Sequence, residues 1–165
     1  MSITLRKAGL EDFEAIYDIF TRILEEGKTY SYTLEEMTPE RSLAYWISAP
    51  GTHCYVAVTK KNHIAGFCAV RPNRTGRAGH VANASFIVHP DYRKRGVGRK
   101  MGKHALKTAR KLGYKAMQFN FVVSANTAAV QLWQSLGFSI VGTLPKGYRH
   151  ATNGLVDVYI MHRFL

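Results

Sequence analysis

Residues 93–111, RKRGVGRKMGKHALKTARK, hold nine Lys and Arg, three Gly and no acid. Such a stretch can neutralise the phosphates of a nucleic acid, or it can seat one small, highly phosphorylated molecule. Arg93, Gly96 and Gly98 form an R-x-x-G-x-G directly before an apolar stripe of Met101, Ala105, Leu106, Ala109 and Leu112 at helical spacing. Glycines so placed let backbone N–H groups converge on a phosphate at the positive end of a helix dipole. The pattern lacks the G-K-[ST] ending of a triphosphate loop and the first glycine of a dinucleotide fingerprint. Read alone, it is equally a basic helix softened by glycine. Arg99, Lys100, Lys103, Lys107 and Arg110 fall opposite the stripe, on a solvated face. No aromatic side chain interleaves with these cations to stack a base, which argues against nucleic acid.

Neutral polar residues form the second set. In HVANASFIVH the period of two puts Asn83 and Ser85 on one face and Ala82, Ala84, Phe86 and Val88 on the other; in KAMQFNFVV it pairs Gln118 with Asn120. They are either satisfied core groups or the walls of a pocket that orients an amine or grips a carboxylate without moving protons.

These residues need a frame. ITLRKA reads as a strand, and LEDFEAIYDIFTRILEE as a helix with Phe13, Ile16, Ile19, Phe20, Ile23 and Leu24 on one face. A second helix opens at Thr38–Pro39 and runs through SLAYWI to Pro50. HCYVAVT and HIAGFCAVRP, joined by KKN, read as a hairpin. Then follow HVANASFIVH as a strand, the basic helix, KAMQFNFVV as a strand, a helix NTAAVQLWQSL capped by Asn126, and FSIVGTL and LVDVYIMHRF as strands. The predicted order is β-α-α-β-β-β-α-β-α-β-β, a mixed α/β domain covering residues 1–165.

Composition narrows the class. The chain has 165 residues, 46% hydrophobic, enough for one core. No secretory signal or bilayer-long apolar run is visible, so a soluble, cytoplasmic protein is expected. Cys54 and Cys68 lie in apolar strand-like runs and read as reduced core thiols, and the seven His show no metal-ligand spacing, so no metal is expected. The net charge of +12 is localised: residues 92–156 carry twelve Lys/Arg and no acid, while residues 1–91 carry ten of each sign. Half of the chain therefore faces something anionic.

SFIVHP followed by RKRGVG resembles the acetyl-CoA motif of the GCN5-related N-acetyltransferase family. NTAAVQLWQSLGF resembles that family's next motif, N-x-x-A-x-x-L-[YW]-x-x-x-G-F, and GLVDVYIM is similar to its last strand. The resemblance covers nearly the whole chain. It implies a central sheet of about seven strands flanked by about four helices, with the fourth and fifth strands splayed, and acetyl-CoA as acetyl donor. It implies that backbone groups of Phe86, Ile87 and Val88 pair with the pantetheine arm, and that the Val88 N–H polarises the thioester carbonyl. Arg93, Lys94, Arg95, Gly96, Val97, Gly98 and Arg99 would wrap the pyrophosphate, and Asn126 and Trp133 would contact the cofactor. Subunit pairing through the last strands, giving a homodimer, is also implied.

The chain departs from the family pattern where proton transfer is concerned. Trp133 stands where a tyrosine general acid is usual, and indole is no useful acid. The usual carboxylate base is missing, which leaves Asn83 and Asn120 as the catalytic amides. EEGKTYSYTLEEMTPERSLAYWI resembles the acceptor side of the branch that acetylates amino acids and analogues such as phosphinothricin and azetidine-2-carboxylate. Tyr30, Tyr32 and Trp46 would wall the pocket with Asn83, Ser85 and Asn120, and Tyr148 and Arg149, in a turn after Pro145 and Lys146, would close it. The expected function is N-acetylation of a small amine or amino acid. The alternatives are a protein or peptide N-acetyltransferase, a non-catalytic acetyl-CoA sensor and a nucleic-acid-binding protein.

Overall fold

Val56, Val58, Phe67, Ala69 and Ile87 point to one side of a sheet, and Ile3, Ala57, Ala65 and Cys68 to the other. That alternation, period two along each strand, requires cover on both faces. The computed structural model, which describes residues 2–165, supplies it from four helices. Strands β1 (Ile3–Lys7), β2 (His53–Thr59), β3 (Ile64–Pro72), β4 (Val81–Val88), β5 (Ala116–Val123), β6 (Ser139–His150) and β7 (Gly154–Phe164) form one sheet of order β1-β2-β3-β4-β5-β7-β6. Helices α1 (Phe13–Glu26) and α2 (Pro39–Leu43) lie on one face, where Phe20, Trp46 and Phe67 are wholly buried. Each such side chain contributes about 1.5–3 kcal/mol by leaving water. Helices α3 (Val97–Lys111) and α4 (Thr127–Ser135) cover the other face through Met101, Ala105, Leu106, Ala109 and Trp133. Among the described residues no helix is long and apolar enough to cross a membrane.

The element order is the predicted one, with two local differences. α2 ends after five residues and continues as a π turn over Ala44–Ser48, closed by the Ala49 N–H on the Ala44 carbonyl at 3.0 Å. β6 does not stop at Leu144: it runs through Pro145 to His150 by looping out residues opposite Asp157, whose carboxylate accepts the Lys146 N–H at 2.9 Å. Tyr148 and Arg149 therefore belong to a strand, not a turn, because the bulge lets the ladder resume at Tyr148↔Val156. Cys54 and Cys68 are free and buried on opposite sheet faces, and burial pushes the Cys54 thiol up to about 12.

β4 and β5 are the parallel neighbours, and they touch only at Val81↔Ala116 and Ala82↔Met117. Beyond those pairs they diverge. β5 stays with β7 but carries a bulge, so that Asn120 and Phe121 together oppose Ile160. A bulge re-aims side chains, and here it turns Asn120 and Phe121 toward the split.

Candidate acyl-transfer site

The split between β4 and β5 leaves a cavity of about 280 Å³. Tyr30, Tyr32, Asn83, Ser85, Phe86, Asn120, Asn126 and Trp133, all singled out from the sequence, line it. Thr29, Ser31, Tyr45, Phe119 and Phe121 complete most of the wall.

The split edge of β4 carries polar backbone. His89 donates to Ala65 and Val81 accepts from Asn73, so the odd-numbered residues of β4 hydrogen-bond toward β3. By alternation, Phe86 and Val88 present their N–H and C=O groups to the split. Ile87 does not: its backbone faces Phe67 on β3 and its side chain is buried among α1 residues. The Ala84 N–H, the first group above the parallel contact, is satisfied by Asn83 Oδ1 at 2.8 Å. Phe86 and Val88 N–H find no acceptor on β5, which suits them to an extended, amide-bearing ligand or an acyl oxygen.

The amides on the walls are directional. Asn120 Oδ1 accepts from Gln118 at 2.9 Å, and Asn120 Nδ2 donates to Asn73 Oδ1 at 2.6 Å. Each of Asn83 and Asn120 thus has an oxygen already engaged and an N–H left for the cavity. Tyr148, 8% exposed, lies behind this wall rather than over it: its hydroxyl donates to the Tyr30 carbonyl at 3.1 Å and its ring meets Phe121 edge-on. Trp46 does not reach the cavity, because its ring is wholly buried 4.7 Å from Phe67. Its neighbour Tyr45 faces it instead, with its hydroxyl 2.8 Å from Ser85 Oγ. Arg71 completes this cluster, donating to Ser85 Oγ at 3.1 Å and to the Tyr45 carbonyl at 2.8 Å while stacking on the Tyr45 ring at 4.4 Å. Sequence reading missed Tyr45 and Arg71; the only signal was for Tyr45, which precedes Trp46.

The α3 end of the split holds the basic loop. Lys94 and Gly96 take positive φ values of 60° and 76°, and a Cβ at Gly96 would meet nothing within 4 Å. The turn therefore folds over open space, and the first amides of α3 are left without intrahelical partners, as an anion cradle requires. Gly98 has a packing role: a Cβ there would press Leu132 Cδ2 at 3.2 Å. Val97 anchors the loop with a buried side chain. Arg93 is committed elsewhere, pairing with Glu26 of α1 at 2.7 Å. Arg95 stacks on Tyr92 at 5.6 Å and Arg99 donates to Ser135 Oγ at 2.9 Å; Lys94 and Arg95, which directly precede Gly96, have no carboxylate partner among the described residues. Asn126 Oδ1 caps α4 by accepting from Ala129 at 3.3 Å and also lines the cavity. Trp133, 7% exposed, packs against Phe86 at 4.6 Å and Phe119 at 4.8 Å.

Comparison with known proteins fits this geometry. The acetyltransferase (GNAT) family matches residues 13–138. A GCN5-related N-acetyltransferase from Kribbella flavida is 41% identical, with a TM-score of 0.94 over 99% of this chain and 98% of that one. A phosphinothricin acetyltransferase from Sinorhizobium meliloti, solved in complex with AcCoA, shares the fold at 22% identity with a TM-score of 0.87, over 100% of this chain and 89% of that one. N-acetyltransferase aca1 of Schizosaccharomyces pombe is 34% identical over 101 residues, which is 61% of this chain and 48% of that protein. Among such curated relatives, the match spans about half of their length or less. The split strands, the open Gly96 turn at the start of α3 and these likenesses converge: the chain belongs to the acetyltransferase (GNAT) family.

Proposed function

We propose that the protein is a cytoplasmic, acetyl-CoA-dependent N-acetyltransferase whose acceptor is a small amine or amino acid. The observation that carries this reading is the cavity itself, which joins unpartnered strand amides to walls of neutral amides and hydroxyls with no carboxylate among the lining residues. A polycationic acceptor such as a basic peptide gains nothing from such walls, whereas a small zwitterion or neutral amine finds N–H donors on Asn83 and Asn120. The chain's groups also fit the donor. Phe86 and Val88 would hold the arm and the acyl oxygen, and the Gly96 turn with Lys94, Arg95 and the amides of Val97 to Arg99 would take the phosphates. Acetyl-CoA, when bound, supplies an activated acetyl carbon: the acceptor nitrogen forms the N–C bond, the C–S bond breaks with its electron pair on sulfur, and the proton lost by nitrogen is balanced by one taken from solvent to make the thiol. The Val88 N–H stabilises charge on the acyl oxygen, and Asn83 and Asn120 orient the acceptor. No side chain is assigned as base, so the amine must arrive neutral and the rate should climb with pH until the amine is deprotonated. The homodimer belongs to the same proposal, supported by β6 lying at the sheet edge with Val141 60% and Leu144 43% exposed.

The test is thiol release from acetyl-CoA across free amino acids, cyclic imino acids, polyamines, aminoglycosides and basic peptides. Saturable turnover confined to one of the first two groups is expected. Turnover confined to polyamines or peptides would overturn the acceptor class, and a raised melting temperature with acetyl-CoA but no turnover would leave a binding protein.

A further inference from the structure

We propose that the Tyr30 hydroxyl oxygen is the hydrogen-bond acceptor that holds the attacking amine, in the place a carboxylate would otherwise fill. This rests on reading the cavity as an acyl-acceptor site. A phenol has one proton to donate and lone pairs with which to accept. Tyr30 has spent its proton: Oη donates to the Phe86 carbonyl at 3.1 Å, on the β4 edge that faces the split. Only lone pairs remain for the cavity. What they can bind is an N–H or O–H donor, and an amine is the donor that acyl transfer brings.

Tyr30 is fixed at both ends. Its own carbonyl accepts from Tyr148 Oη at 3.1 Å, and its ring meets Phe20 edge-on at 5.6 Å and lies 6.3 Å from Trp46. Of the hydroxyls nearby, Ser85 also neighbours Tyr30, but its Oγ is engaged by Tyr45 Oη, with which it shares a proton, and by Arg71, from which it accepts. The position on the strand matters as well. The Phe86 carbonyl and the Val88 N–H are successive split-facing groups on the same edge, so an amine resting on Tyr30 lies beside the amide assigned to the acyl oxygen. Burial, reinforced by the neighbouring Tyr45, holds the phenol well above its usual range, so the hydroxyl keeps its proton and goes on donating it to the Phe86 carbonyl. Thr29 Oγ1, on the same wall, is buried and has no hydrogen-bond partner among the described residues. Tyr30 orients the nitrogen lone pair and takes no proton; proton balance is that of the transfer described above.

Tyr30→Phe keeps the ring and its packing while removing the oxygen. With an acceptor that the wild type turns over, kcat should fall about 10–100-fold, the size of loss that follows from misorienting a reactant. The dissociation constant for acetyl-CoA, measured by calorimetry without any acceptor, should change less than about threefold, since the variant releases the Phe86 carbonyl but leaves the Phe86 and Val88 N–H groups of the donor edge in place. Tyr148→Phe, which frees the Tyr30 carbonyl but keeps the Tyr30 hydroxyl, should show a smaller loss of about 3–10-fold, and it carries the test if Tyr30→Phe does not fold. Unchanged kcat in the variant that folds overturns the assignment, as does loss of acetyl-CoA binding in step with kcat. A wild type that binds acetyl-CoA but turns over no amine overturns the acyl-acceptor reading itself, and this assignment with it.

Discussion

Asp12 is 6% exposed just ahead of α1, with the Arg6 guanidinium on both carboxylate oxygens at 2.8 Å and the Gly9 amide at 2.9 Å. The hydrogen bond from Arg6, helped by Gly9 and opposed by burial, holds the carboxyl below its usual range. Because the folded-state value is depressed, the contribution is complete above the unfolded value near 3.9 and disappears as pH falls through the lower folded value. Asp12→Asn should therefore lower stability by about 1–2 kcal/mol at pH 7, since solvent on the Arg6 side screens the pair. Its melting temperature should also fall less than that of the wild type on acidification from about pH 5 to 2. An equal acid slope in both proteins would locate the titrating groups elsewhere. Cavity-lining residues were legible where identity implied chemistry: Asn83, Asn120 and Tyr30 all line the cavity. Arg71 was not, because an arginine at the end of a strand looks like any solvated cation until Ser85 and Tyr45 are seen to hold it.

Among the elements, β3, β4 and α3 meet at Gly66. A Cβ there would stand 2.7 Å from the Ile87 carbonyl oxygen and 3.1 Å from Met101 Cε. The methionine can yield, but the carbonyl belongs to a paired strand and cannot. Gly66→Ala should cost about 2–3 kcal/mol in a denaturant titration. Because Gly66 pairs with Val88, it should also weaken acetyl-CoA binding at saturating fold, a loss that a surface Gly76→Ala control should not share. Normal cofactor affinity in folded Gly66→Ala would show that β4 moves as a unit without disturbing the split edge. The hairpin, the amphipathic helices and the order of elements along the chain could be read because each buries a face that repeats with its own period. β6 could not be followed past Leu144, since Pro145 and Gly147 look like a turn; the strand survives because Asp157 satisfies the looped-out backbone. The π turn has no sequence signature either; it carries both Tyr45, which lines the cavity, and Trp46, which is wholly buried.

At the scale of the whole molecule, the charge of +12 is an electrostatic fact before it is a binding site. Of the nine cations between residues 93 and 111, only Arg93 has a carboxylate partner among the described residues. The remainder share a field, but they do not share it equally with a ligand seated at the Gly96 turn. At about 1.5 Å rise per residue, Arg110 lies about 21 Å along α3 from Gly96, roughly twice the screening length at 0.1 M salt. Lys94 and Arg95 lie inside that length. Acetyl-CoA affinity should therefore weaken several-fold as ionic strength rises from about 0.05 M to about 0.5 M. The double variant Lys94→Ala/Arg95→Ala should bind more weakly throughout and with a shallower salt dependence, because it has lost the charges proposed to take the phosphates. Lys107→Ala/Arg110→Ala should stay within about twofold of the wild type at 0.15 M salt and depart from it only at lower salt. If the distant pair matters as much as the near one at 0.15 M, the ligand runs along α3 instead of sitting at its first turn, and the cradle at Gly96 is not where the phosphates bind.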